Sequence, residues 1–424
     1  MNSTVTSPGV ARGLKVAVIG GSIAGCAAAI ELSRAGCWVT VYERSTGKLK
    51  DRGAGITLSL SLFKTLVERN LVDPDMPHFP GTKRPFVIRS GKEECDSGRI
   101  LWEQPIAVVL TSWDVLYRNL RSRVPDNIYH QGCEVTALQE IDGNSVSLRL
   151  GNGQEFLFDL VVCADGHNSL GRRMLFPEQS LHYAGYIAWR GLIEEKLVPD
   201  IELFEGRLTF AVYERGHCVL YIVPGRQEET QVGKRRLNWV LYENVADKDL
   251  PAMLTDSQGF VHKTSLPPGK VPDAKVAYVH NLARHHLPGC ARNVICATTQ
   301  PFIQAIFEVG IPYYRKGRIC LIGDASVITR PHTASGVVKA ITNAITLADS
   351  LTTHNSLDTA LSRWDSEQSA AGNKLVTLGQ TLGTALVQKV PDWKKMSKKD
   401  MEQWWTVVMS GKYWYATDEG REQR

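Results

Sequence analysis

Apolar positions along this chain change period several times, and each change marks an element. Over Val16–Glu43 the run VAVIGGSIAGCAAAIELSRAGCWVTVYE predicts a buried strand, a glycine turn, an Ala-rich helix and a second strand closing on an acid. A helix is predicted over Leu60–Arg69. Residues 71–104, rich in Pro, Gly and charge, read as a crossing into a second domain. Val115, Leu116 and Leu120 give Thr111–Val124 a helical stripe, with Thr111 or Ser112 as its cap. Residues 133–163 alternate as strands (CEVTAL, VSLRL, FLFDLVVCA), with Gly-Asn-Gly at 151–153 as a hairpin turn. From Tyr183 to Tyr278 the pattern predicts an antiparallel sheet with turns at Glu214–Gly216 and Pro224–Arg226. A last apolar strand, RICLIGD from Arg318, opens through a Pro331-bounded loop into the helical run VVKAITNAITLADSL. No internal repeat or low-complexity tract interrupts this order.

The glycine turns bring in the chemistry. Gly20 permits a tight turn and Gly25 lets the helix pack closely on the strand, so the helix N-terminus presents unpaired N–H groups to a pyrophosphate. Glu43 is placed to take ribose hydroxyls. Between this motif and the Gly323-Asp324 segment lies a third, LVVCADGHNSLGR at Leu160–Arg172, a strand ending in Asp165-Gly166. One such motif is weak evidence; the set in this order is strong.

Composition adds limits. The 424 residues suffice for two domains, and 43% hydrophobic with 22% charged residues is ordinary for a globular protein. A net charge of +5 without a clustered basic face argues against a nucleic-acid partner. Nine cysteines show no CxxC spacing, which fits buried thiols in a reducing compartment. A zinc site from His285, His286, Cys290 and Cys296 is set aside, so no metal is expected. No run approaches the roughly 20 apolar residues of a membrane-spanning helix. Residues 1–13 lack the order of a secretory signal and leave a weak mitochondrial leader open; cytoplasm is the default.

With its three motifs spanning Val16 to Leu351, the chain resembles the class A FAD-dependent aromatic hydroxylases, the p-hydroxybenzoate hydroxylase superfamily. The runs YAGY and WRG from Tyr183 to Gly191, YIVPGR at 221–226, LNWVLYENVA at 237–246 and TRPHTASG at 329–336 bring the resemblance closest to 2,6-dihydroxypyridine 3-hydroxylase-like monooxygenases. Four positions depart from the wider pattern: Ser22 for the middle glycine of the fingerprint, Trp113 for an arginine, Val327 for a histidine and Ala334 for a glycine.

The resemblance implies an α/β fold: a discontinuous Rossmann-like FAD domain (14–70, 105–176, 297–375), an interleaved antiparallel-sheet substrate domain (71–104, 177–296) and a C-terminal helical tail (376–424). It implies FAD contacts from Gly20, Ser22, Ile23, Ala24 and Gly25 in the first turn, from Glu43, Arg44, Gly55 and Val135, from Asp165, and from Asp324, Pro331, Ala334, Ser335 and Gly336. FAD is expected to be non-covalent, because no His or Cys stands in a tethering context, with NADPH or NADH visiting as reductant. The implied reaction is hydroxylation of a small phenolic or hydroxypyridine-type ring through a flavin C4a-hydroperoxide, with dioxygen as co-substrate. Its alternative is decarboxylative hydroxylation of a 4-hydroxybenzoate-type or prenylated substrate.

His332, in the loop that faces the flavin in this family, is the candidate acceptor of a phenolic proton, against a purely structural role in that loop. Tyr221 and Arg190 are candidates to hold a hydroxyl or carboxylate, Arg190 equally a bridge between domains; Arg226 is a further candidate for a carboxylate. Gln300-Pro301-Phe302 reads as pocket lining or plain core. His217 falls in a hairpin turn and reads as surface. Halogenases and reductases use the same scaffold, but the nearest tryptophan segment, AWRGLI, lacks the WxWxI of a flavin halogenase; a non-enzymatic flavin module would not need a full sheet domain. Trp393, Trp404, Trp405 and Trp414, beside paired lysines, predict a tail packed on the chain's own core, with a homodimer interface left open and peripheral membrane contact disfavoured.

Overall fold

The computed structural model describes residues 9–47, 54–89, 91 and 97–412. The β-branched runs around the glycine turns form one six-stranded sheet, in the order Arg315–Lys316, Ile319–Leu321, Leu160–Cys163, Lys15–Ile19, Trp38–Glu43, Tyr129–Gln131. All its pairings are parallel except the Arg315–Lys316 hairpin. Helices Ile23–Arg34 and Gly336–Thr353 pack against each other and join the same apolar core as these strands. That is the near-continuous hydrophobic pattern of a parallel sheet buried under helices.

A nine-stranded sheet forms the second body, in the order Ser265–Leu266, Phe302–Glu308, His182–Glu194, Arg236–Asn244, Gly216–Val223, Thr209–Tyr213, Phe79–Ile88, Arg99–Ser112, Gly55–Ser59. Alternation sorts its faces. Ile187, Trp189, Trp239 and Leu241 point toward helices Asp273–His286 and Gly289–Ala297. Tyr186, Ala188, Val240, Tyr242 and Tyr221 point to the other face, which the C-terminal tail partly covers.

Several expectations shift. Gly55–Ser59 and Phe302–Glu308, assigned from sequence to the nucleotide domain, hydrogen-bond into the large sheet. One pairing in that sheet is parallel, Phe210 opposite Phe86. The FLFDLVVCA run splits at Asp159 into strands of two different sheets, because Asp159 is bonded to Lys15 through both its backbone N–H and its carboxylate. Ser112, not Thr111, caps the helix Trp113–Arg121. Beyond Ala246 the chain turns helical, and Tyr278 lies inside the helix Asp273–His286: these residues share apolar content with strands but lack their alternation.

The tail buries Trp393, Met401 and Trp405 against the large sheet, with Trp393 Nε1 donating to Tyr213 O at 3.0 Å. Trp414 lies outside the described residues. Among the described residues no helix is long and apolar enough to cross a membrane.

Candidate active site

The parallel strands end at one edge of the six-stranded sheet, and the three motifs converge there. Gly20 turns with φ +94°, and a Cβ on it would lie 2.6 Å from Ala164 O, so the first motif touches the second. A Cβ on Gly25 would lie 1.8 Å from Gly20 O. Gly323 of the third motif sits against the first helix, its would-be Cβ 3.1 Å from that of Ala24. Arg172 staples the set: Nη1 donates to Asp324 O at 2.7 Å and to Ala325 O at 3.1 Å, and Nη2 to His167 O.

The donors and acceptors left at this edge suit a dinucleotide. Ser22 caps the helix Ile23–Arg34 without a side-chain cap bond, so its hydroxyl does not occupy the first-turn N–H groups of Ile23, Ala24 and Gly25, which lie at the helix end on this edge. Glu43 is buried; its carboxylate accepts from Gly21 N and Ser45 N, both at 2.8 Å, and each oxygen keeps a second lone pair for a ribose hydroxyl. Val135 begins the strand beside it, where Cys133 N donates to Glu43 O at 3.0 Å, while Arg44 is exposed. Asp165 Oδ2 accepts from Leu170 N at 2.7 Å, Oδ1 is buried without a partner, and burial raises the carboxyl pKa. Asp324 is half-exposed and paired to Lys339 at 3.0 Å. After Pro331, Ala334 takes a left-handed turn at φ +53°, Ser335 bonds to Thr333, and Gly336 starts the next helix facing open space. An orphaned carboxylate oxygen, a cradle only glycines fit and two helix N-termini match FAD in kind and placement.

From this crevice the loop 329–336 reaches across to the face of the large sheet that the tail partly covers. His332 Nε2 lies 2.9 Å from Tyr186 Oη, and its ring stands 4.4 Å from that of Tyr242 and 5.3 Å from that of His217. The Arg330 guanidinium lies beside Tyr186, 5.7 Å from its ring centroid, and is held by Glu308, Nε to Oε2 at 2.8 Å and Nη2 to Oε1 at 3.1 Å. Burial, then the neighbouring His217 and Arg330, drives the His332 pKa well below its usual value; burial lowers that of His217 to about 4. Both rings are neutral at ordinary pH. Burial also raises the Tyr186 hydroxyl, which stays protonated.

Strand register sets the rest of the face. Ala188, Tyr242 and His217 lie in one row, Arg190, Val240 and Val219 in the next, Leu192, Asn238 and Tyr221 in a third. A floor of small side chains thus lies between two polar ends, about 13 Å apart along the strand at about 3.3 Å per residue. At the Asn238 end, Gly55 N donates to Asn238 Oδ1 at 2.8 Å, and a Cβ on Gly55 would meet Tyr221 Oη at 2.7 Å. Arg190 flanks the floor, Nη1 donating to Gln304 at 2.8 Å with its guanidinium over Phe302. Arg226 stands elsewhere, exposed in a polar cleft of about 580 Å³ with Arg118, Asn119 and Glu228.

Comparison with known proteins decides the family. Residues 183–308 match a family model described as FAD binding domain-like. The chain is 32% identical over 372 residues to 2,6-dihydroxypyridine 3-monooxygenase of Paenarthrobacter nicotinovorans, covering 85% of this chain and 88% of that one. It belongs to the class A FAD-dependent aromatic hydroxylases. The solved 2,6-dihydroxypyridine-3-hydroxylase from Arthrobacter nicotinovorans superposes on this hydroxylase with a TM-score of 0.81 at 30% identity, covering 90% and 94% of the two chains. Klebsiella pneumoniae HpxO complexed with FAD and uric acid shares the fold at TM-score 0.73 and 19% identity, over 99% and 97%. The hydroxylase is a flavin-dependent aromatic monooxygenase with FAD as its cofactor.

Of the residues expected from sequence, the structure brings Gly20, Ser22, Ile23, Ala24, Gly25, Asp165 and Asp324 to one edge, and His332, Tyr221 and Arg190 to the hydroxylase's sheet face. His217 is not surface: the turn ends at Arg215, His217 is the second residue of the strand Gly216–Val223, and it is fully buried. Its Nδ1 bonds to Leu386 O at 3.1 Å. Sequence reasoning also missed Tyr186, Tyr242, Asn238 and the Arg330–Glu308 pair. Parity was the available signal, since 217, 219 and 221 alternate onto one face.

Proposed function

We propose that this hydroxylase uses NADPH or NADH to insert one oxygen of dioxygen into a small phenolic or hydroxypyridine-type ring lying on the Ala188–Val240–Val219 floor. Bound FAD, held non-covalently by the convergent motifs, supplies the activation of dioxygen; the protein orients the ring, excludes water and polarises a ring hydroxyl.

One observation carries this reading: an ordered line of hydrogen-bonding groups with a single gap. The donor-only Arg330 cation lies beside Tyr186, which turns the Tyr186 lone pairs toward the guanidinium and the Tyr186 O–H toward His332 Nε2. His332 Nδ1 then carries the proton. At the far end the Leu386 carbonyl is acceptor-only, so His217 Nδ1 carries the proton and Nε2 is bare. His332 Nδ1 and His217 Nε2 are the two buried nitrogens without a partner in this line, one a donor and the other an acceptor. A ring hydroxyl accepts from the first and donates to the second, which draws its proton away and raises ring electron density.

The decarboxylating variant is the second reading, favoured by the unpartnered Nε of Arg190 beside the same floor, a place for a substrate carboxylate. A panel of hydroxypyridines, hydroxybenzoates and prenylated phenols, scored by product mass, tests both. Gain of one oxygen by a hydroxylated ring supports the first reading; gain of oxygen with loss of carbon dioxide supports the second. No oxygen gain by any ring, with turnover of another compound class, refutes both.

A further inference from the structure

The helix Leu357–Gly383 runs on into a single π-helical turn, Thr384–Gln388, a local irregularity that recurs at functional sites. This stretch forms the outer wall of the His332 loop. Cβ atoms on Gly379 and Gly383 would meet Arg330 N at 3.1 Å and Tyr186 Oη at 2.6 Å, so the two glycines let Arg330 and Tyr186 lie directly on the helix. From the π turn, Gln388 Oε1 accepts from Arg330 Nη1 at 3.2 Å, and Gln388 Nε2 donates to Ala184 O at 2.9 Å. Ala184 lies where the strand His182–Glu194 breaks register between Tyr183 and Ile187. The break leaves Tyr186 without a ladder partner on the Phe302–Glu308 side, while Asn244 pairs it on the other.

One amide therefore spans both supports of Tyr186: the guanidinium beside its ring and the backbone two residues before it. We propose that Gln388, carried by the C-terminal tail, is a positioning residue for the Tyr186–His332 pair. It sets the distance between the sheet and the loop and so the aim of His332 Nδ1. Gln388 is itself solvent-exposed, so replacing it removes these two bonds without opening the core. The inference rests on the reading of His332 as the group that meets the substrate hydroxyl.

The test compares Gln388→Met, which loses both bonds, with Gln388→Glu, which keeps the acceptor for Arg330 and loses the donor for Ala184 O. His332→Ala serves as control, all as FAD-loaded full-length protein turning over a panel compound that gains oxygen. In Gln388→Met the product formed per NAD(P)H is expected to fall about fivefold, the equilibrium cost of one neutral hydrogen bond. Hydrogen peroxide should rise in compensation, FAD content and Tm should hold, and Gln388→Glu should fall in between. Histidine-15N spectra, assigned with the control, should show the His332 ring signals shifted in Gln388→Met. Gly383→Ala gives an independent arm: alanine favours a helix interior, yet here it presses on Tyr186, so coupling should drop without loss of Tm. An uncoupled His332→Ala beside a Gln388→Met with unchanged coupling and unshifted His332 signals overturns the proposal. Loss of FAD or Tm in step with activity overturns it too, in favour of a structural role. A fully coupled His332→Ala refutes the underlying reading instead.

Discussion

Tyr186 and His332 meet at 2.9 Å across 146 residues of chain, and that contact joins the sheet face to the loop that follows the third nucleotide motif. With His332 as the proposed donor to the ring hydroxyl, His332→Ala is expected to keep FAD and NAD(P)H oxidation. Product formation should slow by about 100-fold, the low end for a positioned proton-handling group, with the lost reducing equivalents appearing as peroxide. An unchanged ratio of product to NAD(P)H would assign His332 to loop structure alone.

Tyr186→Phe removes the hydroxyl but keeps the ring. The His332 Nε2 lone pair then loses its donor, and the imidazole is free to take either tautomer. We expect a loss of about tenfold in coupled turnover, near 1.4 kcal/mol and within the range of one buried hydrogen bond. Rapid-mixing measurement of product per FAD isolates this from substrate binding; a loss confined to KM would contradict it.

The buried His217 predicts an acid-side loss of stability. Its pKa falls from the ordinary 6.5 to about 4 in the folded protein. The unfolded chain therefore binds a proton first as pH drops, and stability declines from about pH 6.5 to about pH 4, by roughly 3 kcal/mol from this group. Above pH 6.5 it contributes no slope. His217→Phe should flatten that part of a denaturation-versus-pH curve, and an unaltered slope would show that the ring is not the titrating group.

Asp324 pairs with Lys339, which is almost wholly buried. Asp324→Ala should strip most FAD and also leave that ammonium under-compensated, costing about 1–3 kcal/mol in the apoprotein after allowing for the half-exposed carboxylate. Asp324→Asn retains an acceptor for Lys339 and should lose less of both. FAD retention in both variants, read from the absorbance of the desalted protein, would remove Asp324 from the cofactor site.

Gly25→Ala places a methyl 1.8 Å from Gly20 O, a contact with no flexible side chain to yield. Soluble protein without FAD, or no soluble protein, is expected, and a yellow variant of normal Tm would contradict the close helix–strand approach.

How much of this was legible beforehand follows the range of the interactions. The cofactor edge rests on local rules: Gly20 and Gly25 are needed for a turn and a helix five residues apart, and Ser22, Glu43 and Asp165 stand at strand and helix ends that apolar runs announce. The sheet face depends on register between strands far apart in sequence, and a one-residue misjudgement reverses a side chain. That is how His217 was read as turn surface when the strand begins at Gly216. Arg330–Glu308 and Gln388–Arg330 pair residues from different segments, and no periodicity encodes them. The helices beyond Ala246 were misread because short apolar segments fit either period.

The order of the six-stranded sheet has a consequence for biosynthesis. Lys15–Ile19, the first of its six strands to be made, gains its second neighbour only when Leu160–Cys163 has been made, and that strand in turn waits for Ile319–Leu321. Arg172 has its acceptors at Asp324 and Ala325, and the helix N-terminus at Gly336 comes later still. Closing such distant contacts is slow and leaves apolar strand edges exposed meanwhile. A nascent chain of this hydroxylase therefore carries an unfinished FAD cradle from Lys15 until Gly336 has been made, and the vitamin-derived cofactor arrives as one of the last pieces of this domain.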